Sequence, residues 1–493
     1  MYPDQPDAHR LTPGRTRRRS LVARVLLMGL LCLSALLAAP ERLRAQATWE
    51  YSPYRIRVWV AMDDSPELTE RLVEQIAATL ADRGGVAAGA AWDVRTALCP
   101  PELRHDALTR IADITVDDMA RVAGRRLQVD DKLVLLAVQA EATGFRLSAR
   151  ELDCRTRTWQ PVVHRTVVQS RRIPAEAFAA VHEAFAPLVR VDSVRGRAAE
   201  ARVRAGGLIL DEDNAAHIRE HDILRPVIRR NDRLGEPLDN GIMVVPWTFL
   251  TVQQRDGSML HCQAHSGMYA LLGVRPSARL HKYALLTKPV EDHTRLRLIA
   301  RGRASALPGY EIYCKDPDTE ENTVLGRTDW RGTLTVRRGD MPLQILYVRN
   351  GGRLLARLPI VPGLEPELTA ELRDDNRRLE AEGYVRGLQN LVMDLVARRE
   401  LYISRFRRHL RAGEYDQARA LLEEFATLPT RSDLARDLVQ QGQRFASGDL
   451  SDRREQAQID QLFKDTHHLL TRFLDPGTAS ELAAELEQAR RAG

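Results

Sequence analysis

Only five cysteines occur in 493 residues, and no two stand in a Cys-x-x-Cys spacing. That spacing is what a zinc knuckle or a thioredoxin-like redox site requires, so the sequence argues against both. Nucleophile elbows, His-Glu-x-x-His helices, glycine-rich phosphate loops and dinucleotide fingerprints are also missing. Lysine is scarce: Lys132, Lys282, Lys288, Lys315 and Lys464 stand in a sequence rich in arginine. An excess of one charge is lacking too. The chain holds 73 basic and 67 acidic residues, and residues 1–47 alone carry eight arginines against three acids. The remainder has 65 basic and 64 acidic residues, interspersed, which is no footprint for nucleic acid.

The clearest positive signal lies at the amino terminus. Arg15, Arg17, Arg18, Arg19 and Arg24 precede an uncharged apolar run from Val25 to Ala39, followed by Pro40 and by Ala45-Gln46-Ala47. A basic stretch, a short apolar stretch and a small-x-small site are the parts of a secretion signal, so residues 1–47 are expected to be a signal peptide cleaved at Ala45 and Ala47. Fifteen helical residues span ~22 Å, short of a ~30 Å hydrocarbon core. Starting at Leu21 with Arg24 reaching outward, residues 21–39 would instead form an uncleaved anchor. Arg18-Arg19-Ser20-Leu21 resembles a twin-arginine signal. Export would place Cys99, Cys154, Cys262 and Cys314 in an oxidising compartment, where Cys99 and Cys154, in one expected domain, are the candidate disulfide.

Beyond the signal, the chain reads as multi-domain α+β. Residues 52–200 form an α+β domain: a half-buried strand at Tyr54–Val60, a helix opened by Ser65-Pro66 and ended by Gly84-Gly85, then short helices. A three-strand meander at Leu133–Gln139, Phe145–Leu152 and Val162–Val168 follows, with a closing helix at Pro174–Leu188. The order β-α-β-α-α-β-β-β-α loosely resembles small domains at the front of bacterial envelope-assembly proteins. Residues 203–290 read as a β-barrel-like module, with strands at Leu208–Leu210, Ile223–Ile228, Ile242–Val252, Met259–Ala264 and Leu280–Leu286.

Residues 293–364 carry a more specific pattern. Pro308-Gly309-Tyr310-Glu311-Ile312-Tyr313 leads to Leu325-Gly326-Arg327-Thr328-Asp329-Trp330-Arg331-Gly332-Thr333-Leu334, then to alternating strands at Leu343–Val348 and Leu354–Pro359. This resembles the prealbumin-like β-sandwich of carboxypeptidase regulatory-like domains, with its Gly-x-Thr-Asp-x-x-Gly turn. Leu334 stands near that family's usual aromatic position. The resemblance implies an accessory or adhesion module. On the residues alone, Asp329 can close the turn with its side chain and Gly332 can supply a positive φ.

From residue 365 to 493 an α-helical bundle is expected. Leu388, Val392, Leu395, Tyr402 and Phe406 make a stripe that Arg399 interrupts, which disfavours a long self-dimerising coiled coil. The run from Ala412 to Leu422 resembles the turn and second helix of a tetratricopeptide repeat, in a single copy; one hairpin is expected, with further helices near 453–474 and 478–491.

Weak sites have ordinary explanations. His261 and His265 on a strand would sit ~13 Å apart, too far for one ion, with Cys262 facing the other way. His217 and His221 would meet only if their segment were helical, with Asp222 beside them. The acidic runs Asp211-Glu212-Asp213-Asn214 and Asp316 to Glu321 read as turns. Asp117-Asp118 and Asp130-Asp131 point apart as neighbours in sequence, and read as a helix cap or a turn. No catalytic, cofactor or metal residue is therefore assigned. The expected role is an exported, non-enzymatic binding or scaffold protein of the cell envelope or periplasm. Its partner would be another envelope protein or a glycan, with no nucleic acid, and it would meet membrane only through an uncleaved signal. The alternatives are an exported hydrolase with a site between the first domain and the barrel, and a membrane-tethered assembly factor.

Overall fold

The computed structural model describes residues 48–267, 272, 277, 279–315, 322–446 and 453–492. The expected signal or anchor, its twin arginines, Ala45 and Ala47, and the acidic run Asp316 to Glu321 lie outside them. The fold is multi-domain with mixed α and β content. By internal contacts it divides into two compact units, residues up to 294 with 336–345 and 357–366, and residues 295–335 with 346–356 and 367–493.

The first unit opens with a six-stranded sheet. Strands β1 (Tyr54–Met62), β2 (Trp92–Leu98) and β3 (Lys132–Glu141) run parallel, while β4 (Gly144–Asp153), β5 (Thr158–Trp159) and β6 (Val163–Val167) are antiparallel additions. Helix α1 (Glu70–Ala88) crosses from β1 to β2. Helices α2 (Pro101–Thr109), α3 (Val116–Ala123) and α4 (Arg126–Val129) lead to β3, and α5 (Ile173–Ala184) follows β6. Strand alternation sends Ile56, Val58 and Val60 to one core and Trp59 and Ala61 to another. Helices pack both faces, which is why β3 is buried at seven consecutive residues. Helix α1 starts after Thr69 rather than at Ser65, and runs through Gly84-Gly85 to end at Gly89, whose φ is 55°. Glycine is tolerated inside because Leu72, Ile76 and Leu80 stay buried, each contributing about 1.5–3 kcal/mol.

The same unit contains a closed ring of six strands. In order around it stand β9 (Ile223–Asn231), β11 (Thr248–Asp256), β12 (Met259–Ser266), β8 (Ala198–Val203), β7 (Leu188–Arg195) and β13 (Leu280–Leu286), which returns to β9; β10 (Pro237–Val244) flanks β9. The barrel thus draws β7 and most of β8 from sequence before residue 203, where the module was expected to begin. The strand expected at Leu208–Leu210 is a 3-10 turn over Gly206–Leu208, and the one expected across Ile242–Val252 is two strands, broken where Trp247 takes a positive φ. Leu250, Val252, Leu260, Ala201 and Leu285 pack into the same core as α1 and α5.

Two smaller sheets follow. One is ordered β17 (Thr333–Arg337), β14 (His293–Ala300), β20 (Glu367–Leu372); the other β16 (Asn322–Arg327), β15 (Glu311–Lys315), β18 (Gln344–Asn350), β19 (Arg353–Ile360). Strand β20 corrects the helical reading of residues 365 onward. Its sequence, Glu367-Leu368-Thr369-Ala370-Glu371-Leu372, has helical composition, but parallel pairing with β14 overrides that preference. The expected turn is present: Asp329 Oδ1 accepts from the backbone N–H of Arg331 (2.9 Å) and Thr333 (2.8 Å), and Gly332 has φ 73°.

Five helices complete the second unit: α6 (Asn376–Arg411), α7 (Tyr415–Ala426), α8 (Arg431–Ala446), α9 (Arg453–Phe473) and α10 (Thr478–Ala492). The stripe on α6 serves two cores. Val385, Leu388, Val392 and Leu395 pack with α8 and α9, whereas Phe406 packs with α7 and α10. Arg399 sits between the clusters, its Nη2 donating to Pro429 O (3.1 Å).

Candidate functional site

The sheet and the barrel of the first unit enclose a cleft of about 500 Å³. One wall comes from the outer end of the sheet, where β5 and the turn to β6 present Trp159, Gln160, Pro161 and Val162. The opposite wall is the end of β13 and its exit, Leu285, Leu286 and Val290. The walls are mainly apolar with a few polar groups, the composition of an ordinary ligand pocket of this size.

Two arginines line the cleft in different states. Arg225 Nη2 donates to Glu365 at 2.5 Å, a complete ion pair. Arg150, on β4, donates through Nη1 to the carbonyls of Ile111 (2.9 Å), Ala112 (2.7 Å) and Ile114 (3.2 Å), and through Nε to Gln160 O (3.2 Å). Its guanidinium stacks 4.5 Å from the Trp159 ring. Burial lowers its pKa to about 10, and Asp113 only partly opposes that.

His164 also lines the cleft, and its Nδ1 lies 2.9 Å from Ser148 Oγ. The two residues are cross-strand neighbours on β6 and β4. Ser148 is buried and does not belong to the cleft wall.

A second polar constellation is buried beneath the sheet. Lys132 is wholly inaccessible, with Nζ 2.6 Å from Glu151, 3.0 Å from Asp153 and 2.5 Å from Ala186 O. Burial pulls its pKa down, but the two carboxylates outweigh burial and raise it, so the ammonium stays charged. Asp131 accepts from Arg155 (2.8 Å) and Arg204 (3.1 Å); those charges overcome burial and hold it below the ordinary carboxylate range. Arg204 also donates to the carbonyls of Trp49 (2.9 Å), Ser52 and Pro53 (3.0 Å).

The residues singled out in the sequence are not gathered into a site. Asp130 pairs with Arg57 at 2.7 Å, apart from the partners of Asp131. Asp118 and Thr115 form a capping box at the start of α3, while Asp117 lies in its first turn. Asn214–Glu220 is turn rather than helix, so His217 and His221 are not stacked one turn apart. His221 N–H donates to Val252 O, and Asp222 accepts from Arg219 N–H. Asp211 accepts from Asp213 N–H, and Asn214 donates to Ala88 O. Cys262 is buried in the barrel, His261 is exposed, and burial with Arg357 and Arg197 pushes His265 down to about 4. Among the described residues no group of three His, Cys, Asp or Glu side chains could hold a metal ion.

Cys99 and Cys154 are free buried thiols, not the expected disulfide. Cys99 N–H bonds Val60 O near the end of β1, and Cys154 N–H bonds Asp131 O, whose own N–H bonds Arg55 O near its start. Five strand residues, ~17 Å, separate those levels, and a bridge needs Cα atoms within ~7 Å.

Sequence reasoning did not find Arg150, Trp159 or Lys132. A lysine in a lysine-poor chain, facing two acids set in an apolar strand, was a readable signal. Nothing in the sequence placed Trp159 opposite Leu286.

No family model matches the chain, and no curated protein matches it. Among solved structures, TolB from Acinetobacter baumannii is 13% identical with a TM-score of 0.18, over 65% of this chain and 95% of that one. A PelC dodecamer from Paraburkholderia phytofirmans is 19% identical with a TM-score of 0.16, over 27% and 86%. BcpA, the major pilin subunit of Bacillus cereus, is 9% identical with a TM-score of 0.13, over 50% and 71%. Among the described residues no helix is long and apolar enough to cross a membrane.

Proposed function

We propose that this chain is a non-enzymatic binding or scaffold protein that works in the cell envelope or periplasm. The observation that supports this reading best is the cleft between sheet and barrel. It has the volume of a ligand site, its walls are mostly apolar, and Arg150 and Arg225 are held in place by carbonyls and by Glu365. Such a surface can hold and orient a partner. The arginine-led apolar run before residue 47 supports export, and the Asp329–Gly332 turn supports a carboxypeptidase regulatory-like module at 293–364 that serves as an accessory contact.

In-cell crosslinking of the full chain, followed by purification from envelope fractions, tests the reading. One stoichiometric envelope partner, crosslinked in wild type and lost in a cleft variant, is the expected result; a cytosolic full-length chain with no partner overturns it.

A further inference from the structure

Arg150 is half-buried on the cleft wall, with Asp113 near enough to act on its charge but not bonded to it. Among the described residues no carboxylate forms an ion pair with it, and its Nη2 has no hydrogen-bond partner, although Nε and Nη1 serve four carbonyls. The contrast with Arg225, paired to Glu365 in the same cleft, is informative. Nη2 thus keeps its N–H donors for the cleft while the rest of the guanidinium is fixed by carbonyls and by Trp159, and an anionic group from outside can take them in a charge-assisted hydrogen bond. Burial depresses the pKa of this guanidinium, and Asp113 offsets that only in part. The apolar walls favour hydrocarbon beside that anion. Gln160 and His164 break up the apolar surface where a lipid chain would meet none but apolar neighbours, and they suit the amide groups of a peptide. Glu291, the other acid of the wall, is exposed and so is screened by water.

We infer that the cleft takes the carboxyl-terminal residues of an apolar peptide, with the terminal carboxylate on Arg150 and the side chains along Trp159, Val162, Leu286 and Val290. Capture of a free carboxylate is a recurring mode of peptide recognition. The inference rests on the binding reading above and names the ligand of that same cleft.

The test is fluorescence anisotropy with the purified full chain and a labelled tetrapeptide of alternating valine and leucine bearing a free carboxylate. Its carboxamide and unlabelled dodecanoate are the comparison ligands. The expected result is saturable binding of the carboxylate form at least tenfold tighter than the carboxamide, and weaker competition by dodecanoate than by unlabelled peptide. Arg150→Gln should abolish the preference for carboxylate. Because that change can also loosen the loop at 111–114, Val290→Asp is the second variant. Val290 is 56% exposed, so the fold should persist by circular dichroism while a new negative charge lowers carboxylate binding at least tenfold. Equal affinity for carboxylate and carboxamide, indifference to Val290→Asp, stronger competition by dodecanoate, or no saturable binding up to millimolar peptide each overturns the inference. If an envelope partner is still captured in any of those cases, the scaffold reading survives and the peptide assignment alone falls.

Discussion

At the residue scale, buried charge is where this protein is most sensitive to change. Lys132, Glu151 and Asp153 are all inaccessible, so removing one leaves its partners buried without their counter-charge. Lys132→Met is expected to cost about 3–5 kcal/mol in urea unfolding. Adding Glu151→Gln and Asp153→Asn should recover much of that loss, because the uncompensated charge disappears with its partner. His265 supplies a pH dependence of known sign. Burial first, then Arg357 and Arg197, depress its pKa from 6.5 to about 4, so the folded state favours the neutral ring. Its contribution is complete above about pH 6.5 and is lost as pH falls from there toward about 4. The Tm of His265→Gln should therefore decline less steeply than that of wild type across this window. A parallel decline in both proteins would show that His265 does not titrate there.

At the element scale, the turn at Asp329–Gly332 shows how a short motif fixes structure. A Cβ on Gly332 would stand 2.5 Å from Leu298 O, and the φ of 73° is itself unfavourable for other residues. Gly332→Ala should cost about 2 kcal/mol from backbone strain alone, read as a lowered denaturation midpoint with circular dichroism retained. Elements of this kind were legible because local chemistry determines them: the alternating strand expected at Tyr54–Val60, which runs on to Met62, the expected strand at Leu280–Leu286, and the hairpin at Gly413 whose φ is 75°. Elements set by distant partners were not. Strand β20 is written in residues that favour helix and becomes strand through β14; the level of Cys154 relative to Cys99 depends on β4 running antiparallel to β1–β3. The cleft belongs to the same class, since Trp159 and Leu286 are 127 positions apart and meet only through the closure of the barrel.

At the scale of the whole molecule, the segment just before β1 ties the first unit together. Trp49 donates from its indole to Arg202 O (3.1 Å), stacks on Tyr283 of the barrel at 5.8 Å, and lies 5.5 Å from the guanidinium of Arg155, which belongs to the sheet domain. Glu50 adds an ion pair to Arg202 (3.0 Å) and accepts from Ser258 (2.6 Å), both in the barrel. Arg204 returns the connection by donating to the carbonyls of Trp49 and Pro53 while it pairs with Asp131. One short segment thus touches two barrel strands, the turn between β11 and β12, and the sheet domain, so loosening it should be felt on both sides. Trp49→Ala is expected to cost about 3–5 kcal/mol and to speed hydrogen exchange in β1, β8 and β12 together. Exchange in α6–α10 of the second unit should stay unchanged. Trp330→Ala is the matched control, since that ring is 75% exposed and its loss should alter neither pattern. Faster exchange confined to β1 would mean that the segment stabilises its own strand and does not join sheet to barrel.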